Sequence, residues 1–122
     1  MTSTTNKVAI VILSDTKTEE GLGRAYNALM TAKEFRDAGD SVKVYLDGAG
    51  TRWPAELARP DHIAHALYED VKPLVAGACG GCAAVFSATD GVQAEQVALL
   101  DEFGAGVSYR DMLQQGYQVL TF

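Results

Sequence analysis

The segment Lys7-Val8-Ala9-Ile10-Val11-Ile12-Leu13 is a nearly unbroken run of aliphatic, largely β-branched residues. A strand with one face in water alternates apolar and polar side chains, whereas a strand without that alternation has to be covered on both faces. The chain is thereby confined to architectures with layers above and below a sheet, and its remaining rhythm supplies them. Beyond the loop Ser14–Gly21, Ala25, Leu29, Ala32 and Phe35 recur at helical spacing up to Gly39, a fitting C-terminal stop. Val42, Val44 and Leu46 mark a second strand over 41–47, and Asp47 to Pro54 reads as a long irregular loop. Ile63, Leu67, Val71 and Leu74 give a helical face over 62–72, which Pro73 ends. A short third strand spans Leu74–Ala78, with a helix running straight into Cys79 as the competing reading. Val97–Leu100 fits a short strand or one helical turn. Ser108 opens a last helix with a capping pattern, Gly116 closes it, and Tyr117–Phe122 is a terminal strand. Strands alternating with helices predict an α/β sandwich with a mostly parallel sheet.

Composition bounds the function. At 122 residues the chain is one domain, long enough to bury about two thirds of its unfolded surface without disulfides or metals. Residues 1–6 read as a flexible polar lead-in without a signal-peptide pattern. A formal charge of −6, with only ten Lys and Arg and no basic cluster, argues against nucleic acid. No apolar run approaches the ~20 residues that span a bilayer. Two cysteines in such a chain point to reduced thiols and a cytoplasmic location.

Both cysteines lie two residues apart in Ala78-Cys79-Gly80-Gly81-Cys82-Ala83. An apolar run ending at Cys79 and followed by Gly-Gly looks like a strand turning into a helix, with Cys79 at the mouth and Cys82 about one turn further in. A helix start favours a thiolate through its oriented N–H groups, and the glycines leave room beside the sulfur. The alternative is two small buried apolar residues. In parallel sheets ligands gather beyond the carboxyl ends of the strands. Three segments converge there: the loop with Ser14 and Asp15, the loop with Asp47, Gly48, Gly50 and Trp53, and the turn Cys79-Gly80-Gly81-Cys82.

These residues carry a resemblance. The strand Lys7–Leu13, the segment Val42–Gly50, the turn Cys79–Ala83 and the closing Leu113–Phe122 together resemble the DsrE/DsrF-like family, which includes the Dsr and Tus sulfur-relay proteins. The resemblance spans essentially the whole chain. It implies an α/β fold built as a three-layer α/β/α sandwich on a five-stranded sheet, a homotrimer or homohexamer, and a cysteine after the third strand that accepts a persulfide. Cys79 is the counterpart of that cysteine, and Cys82 that of a second thiol found in a subgroup. Ser87 stands where many relatives have glycine at the close of the following helix, so a longer turn into 88–92 is expected.

Several chemistries fit the pair. Cys79 could accept a persulfide sulfur from a donor protein and pass it to an acceptor, with Cys82 releasing it by closing a disulfide. A second reading is thiol–disulfide exchange of the Cys-x-x-Cys type. A third joins His62 and His65 with Cys79 and Cys82 as a zinc set. A fourth is a non-catalytic oligomeric module in which the crevice binds a small ligand or protein and the cysteines only pack. No cofactor is expected. Trp53 and Arg52 would wall the crevice or form a subunit contact, or equally Trp53 only covers the upper edge of the sheet; Asp47 is a base or a loop cap; Tyr109 and Arg110 take a surface role.

Overall fold

The computed structural model describes residues 5–104 and 106–122. Five strands, β1 (Lys7–Ile12), β2 (Ser41–Leu46), β3 (Val75–Cys79), β4 (Leu99–Leu100) and β5 (Gln118–Thr121), form one sheet in the order β4-β3-β2-β1-β5. Every pairing is parallel. The interior strand β1, between β2 and β5, buries Val8 through Ile12 completely, as its unalternating sequence requires.

The first three crossovers step the same way along the sheet. Their helices α1 (Glu19–Asp37), α2 (Trp53–Leu57), α3 (His65–Val71), α4 (Gly80–Val85) and α5 (Thr89–Ala94) accordingly gather on one face. There Val8, Ile10, Ile12, Leu29, Val44, Trp53, Leu57, Tyr68 and Val71 make the main core. The last crossover runs back to the opposite edge, so α6 (Tyr109–Gln114) lies on the other face. It packs Met112 with Ala9, Val11, Tyr45, Cys79, Val107 and Tyr117. The result is a three-layer sandwich with one thin layer.

Local chemistry explains the element ends. Thr18 caps α1 by accepting the Gly21 N–H at 2.9 Å, and Gly39, at φ 88°, ends the helix as its sequence position suggests. A register shift between Val44 and Tyr45 sets Tyr45 opposite Gly77 and leaves Ala76 as the extra residue. β3 ends with Ala78 on the main core and Cys79 on the thin face.

Four details depart from the sequence reading. The stretch after β2 is a 3-10 turn (Gly48–Arg52) leading into α2, because Asp47 caps it at the Gly48 N–H and Pro54 opens the helix. The helix expected over 62–72 starts only at His65, since His62 and its neighbours form turns in which the His62 ring accepts the Ala64 N–H. Ile63 is consequently 80% exposed, and Tyr68 fills the core position beside Val71. Of the lead-in, residues 1–4 lie outside the described residues, while Asn6 is fixed to Asp40 by its backbone N–H at 2.7 Å. Ser87 takes the left-handed conformation (φ 55°) that a glycine would adopt without strain, and a tight turn leads directly into α5. The longer turn expected over 88–92 does not form.

Candidate functional site

The site is assembled where β2 and β3 end. Cys79 is the N-cap of α4: its Sγ accepts the Cys82 N–H at 3.2 Å. Asp47, one residue past β2, receives three groups. Its Oδ1 accepts the Gly48 N–H at 2.9 Å and the Cys82 thiol at 3.4 Å, and its Oδ2 accepts the Tyr109 hydroxyl at 2.6 Å. Asp47 is thus a loop cap and a partner of the cysteines at once. One ligand atom from each of Asp47, Cys79 and Cys82 lies within 4.8 Å of the others. Cys79 is only 4% exposed, whereas Cys82 and Asp47 are half-buried, and the two thiols are not joined by a disulfide.

The electrostatics are lopsided. Burial, the contact with the Cys79 sulfur and the neighbouring Asp47 carboxylate push the Cys82 thiol up to about 11; only the Gly48 backbone opposes them. Burial and the hydrogen bond to Asp47 also hold the Tyr109 phenol far above its ordinary range.

Above Cys79 the cover is thin. A Cβ added to Gly106 would stand 3.8 Å from the Cys79 Sγ and 3.4 Å from the Phe103 ring, and Phe103 is itself 69% exposed. Among the described residues, Leu100 and Val107 belong to the same apolar cluster as Cys79.

The remaining sequence candidates divide. Arg52 ties its own segment to the loop after β1 and to the far end of α4: it pairs with Asp15 at 3.0 Å and donates to the Phe86 carbonyl at 3.1 Å. Burial alone would raise the Asp15 carboxyl, but the Thr16 N–H and Arg52 more than offset it and hold it below the usual range. Ser14 and Asp15 line an open cleft of about 330 Å³ with Thr18, Arg24, Thr121 and Phe122, and no residue of the cysteine cluster borders it. Gly80 and Gly81 open α4 beside the cysteines, and Gly48 supplies its N–H to Asp47. Gly50 serves packing, since a Cβ there would lie 2.0 Å from the Ile12 carbonyl oxygen.

Two expectations are corrected. Of the readings open for Trp53, crevice wall and subunit contact give way to the third, cover of the sheet. Trp53 is 1% exposed in the main core, and its indole N–H donates to the Ser14 carbonyl at 2.8 Å. The zinc set does not assemble either. The His65 Nδ1 is bonded to the Leu57 carbonyl and the His62 ring packs edge-on against Trp53, so among the described residues Asp47 stands where the histidines were expected. Tyr109 was missed as a site residue. Its signal was faint, namely the first helical position after Ser108, three residues before the core-facing Met112.

No protein-family model matches the chain. Over 115 residues it is 29% identical to the uncharacterized protein MJ0733 of Methanocaldococcus jannaschii, a match that covers 93% of each chain. Its fold is similar to that of BT1422, a conserved protein of unknown function from Bacteroides thetaiotaomicron, with a TM-score of 0.60 at 16% identity over 93% of this chain and 94% of that one. That second likeness concerns the fold alone. Neither name carries an activity, so the chemistry is read from the residues of the site.

Proposed function

We propose that the chain handles sulfur at Cys79 and Cys82, accepting a sulfane sulfur from a persulfide donor. The carrying observation is the hydrogen bond from the Cys82 N–H to the Cys79 Sγ, with the second thiol and a carboxylate beside it. An N–H aimed at sulfur supports negative charge there. In the first step the Cys79 thiolate attacks the terminal sulfur of a donor R–S–SH. The Cys79 S–S bond forms, the donor's S–S bond breaks, and R–S⁻ leaves. In the second step the Cys82 sulfur attacks the Cys79 Sγ while Asp47 receives the thiol proton. The carried sulfur leaves and is protonated to hydrogen sulfide. The two cysteines end as a disulfide, oxidised by two electrons, and the sulfane sulfur is reduced by two. External thiols reset the pair, as the reducing cytoplasm proposed for this chain would allow. Transfer of the carried sulfur to an acceptor thiol would be the relay form of the same chemistry.

Burial of Cys79 favours small donors, and the test follows. Intact mass is measured after incubation with glutathione persulfide. Cys82→Ser should gain and keep one sulfur atom and Cys79→Ser none, while on wild type the gained sulfur should give way to the loss of two hydrogens as hydrogen sulfide is released. Labelling of all three proteins, or of none, would overturn the assignment. Loss of two hydrogens from wild type with no sulfur gain on Cys82→Ser would favour thiol–disulfide exchange at the same pair. The resemblance to the sulfur-relay family also carries a homo-oligomer, for which the exposed Phe103 and Leu113 of the thin layer are apolar contact groups. Light scattering at micromolar concentration that returns the mass of one chain would rule this out.

A further inference from the structure

We propose that Asp47, Cys79 and Cys82 form a three-ligand site for one thiophilic divalent cation, zinc in particular, with a fourth position open to an exogenous ligand. The inference rests on ligand geometry and does not depend on sulfur transfer. A tetrahedral zinc with its usual bond lengths sets sulfur and oxygen ligands about 3.5 Å apart and two sulfurs about 3.8 Å apart. The Cys82 Sγ and Asp47 Oδ1 stand at 3.4 Å, and all three ligand atoms fall within 4.8 Å of one another. The cluster therefore needs a contraction of about 1.3 Å at most to match those edges.

The donors come from places the fold holds firmly: the carboxyl end of β2, the last residue of β3 and the first turn of α4. Asp47 is oriented from behind by the Tyr109 hydroxyl on Oδ2, which leaves Oδ1 turned to the thiol. Outer partners of this kind orient metal-binding carboxylates. Donor type selects the ion. Two sulfurs exclude the all-oxygen shells that magnesium and calcium require, and a carboxylate completing the set favours zinc over cuprous copper. On binding, the S–H···O contact between Cys82 and Asp47 becomes a sulfur–metal–oxygen bridge, and the thiol proton is released to solvent. The ion enters beside the half-buried Cys82 and Asp47, since Cys79 is covered.

The test uses the whole reduced chain, stripped of metal with a chelator and then titrated with zinc against a chromophoric competitor and, in parallel, with cobalt(II). One zinc per chain is expected, with release of protons. Cobalt should give sulfur-to-metal charge-transfer absorption together with the intense visible bands of a tetrahedral centre. Cys79→Ser and Cys82→Ser should each lower zinc affinity at least a hundredfold. Asp47→Asn should lower it at least tenfold, and Tyr109→Phe about tenfold through its hold on Asp47. Circular dichroism checks that each variant is folded. Should Asp47→Asn fail to fold, the wild-type cobalt spectrum decides alone, because an octahedral or thiolate-free spectrum overturns the site. Undiminished zinc affinity in folded Asp47→Asn also overturns it, leaving a two-thiol contact only. Persulfide labelling is read on metal-free protein, so its failure and the failure of zinc binding are separate results.

Discussion

One face of the sheet lies beneath five helices and closes over Trp53, Ile10, Ile12, Leu29 and Tyr68; the other lies beneath the six-residue α6 and residues 101–104 and 106–108. The first face holds most of the largest fully buried side chains. The second holds Cys79, with Asp47, Cys82 and Tyr109 at its edge, under a cover in which Phe103 and Leu113 remain largely exposed. Segments with few buried apolar contacts open at a lower free energy than the global unfolding transition. The contrast teaches that stability and chemistry are separated by the sheet. The thick layer fixes the strand ends, and fewer buried contacts hold the thin layer over the thiols.

The contrast would break first on core truncations. Trp53→Ala should cost about 3–5 kcal/mol, because it empties a large buried site and leaves the Ser14 carbonyl without its indole donor. Met112→Ala, beneath the thin layer, should fall near ~2 kcal/mol, the low end for such truncations, because a short helix at the surface can settle into the space. Urea unfolding of both variants measures the difference, and equal costs would mean that the two faces are equally built.

A smaller effect probes the joint between the thin layer and the site. Tyr109→Phe removes the hydroxyl bonded to Asp47, at an expected cost of about 1 kcal/mol, since a half-buried group recovers part of the bond from water. Amide exchange should speed up in α6 and not in α1. Acceleration spread evenly over both would show that the layers open together.

The same division governs what could be read from the residues. The thick face was legible because its signals are periodic: the unbroken β1, the Ala25–Leu29–Ala32 stripe of α1 and the Gly39 stop all stand in the structure. The cysteine turn after β3 was legible because an apolar run breaks off at Cys79 into Gly-Gly, a break that marks the end of a strand. Asp47 was legible as a strand-end residue. Its meeting with Tyr109 was not, because the two lie 62 residues apart and no local pattern records a contact made by a crossover of the whole sheet. Trp53 was left open between crevice, interface and sheet cover for the reverse reason. It stands in a glycine-rich, loop-like stretch, yet the 3-10 turn and Pro54 rotate it into the core. His62 and His65 show how helical spacing misleads when the helix begins three residues later.

A gentler test separates backbone strain from packing at the end of α4. Ser87 holds a left-handed conformation that costs a residue with a Cβ about 1 kcal/mol, so Ser87→Gly should stabilise the protein by about 0.5–1 kcal/mol. The control is Ala84→Gly, an exposed position within the same helix, which should destabilise by about 1 kcal/mol. Thermal melts should therefore move in opposite directions. Two shifts of the same sign would mean that α4 responds to glycine content alone, and that the Ser87 turn stores no strain.

The smallest effect lies on the outer surface of the thick layer, where Glu95 receives the Tyr68 hydroxyl at 2.7 Å and the Lys72 ammonium at 3.1 Å. Burial alone would raise the Glu95 carboxyl, but the Tyr68 hydrogen bond, Lys72 and the nearby His65 outweigh it and hold the carboxyl below its ordinary value. A depressed carboxyl binds its proton less readily in the folded chain than in the unfolded one. Its contribution is therefore complete above the unfolded value of about 4.3 and is lost as pH falls through the lower folded value. Glu95→Gln keeps the shape and removes the charge. At pH 7 it should be less stable than wild type by under ~1 kcal/mol, the range of partly exposed ion pairs. At pH 3 the gap should narrow, since the wild-type carboxyl is then closer to neutral. Urea unfolding at the two pH values measures both gaps. An equal gap at each would assign the contact to shape and hydrogen bonding, and the thick layer would then owe nothing to charge at this point.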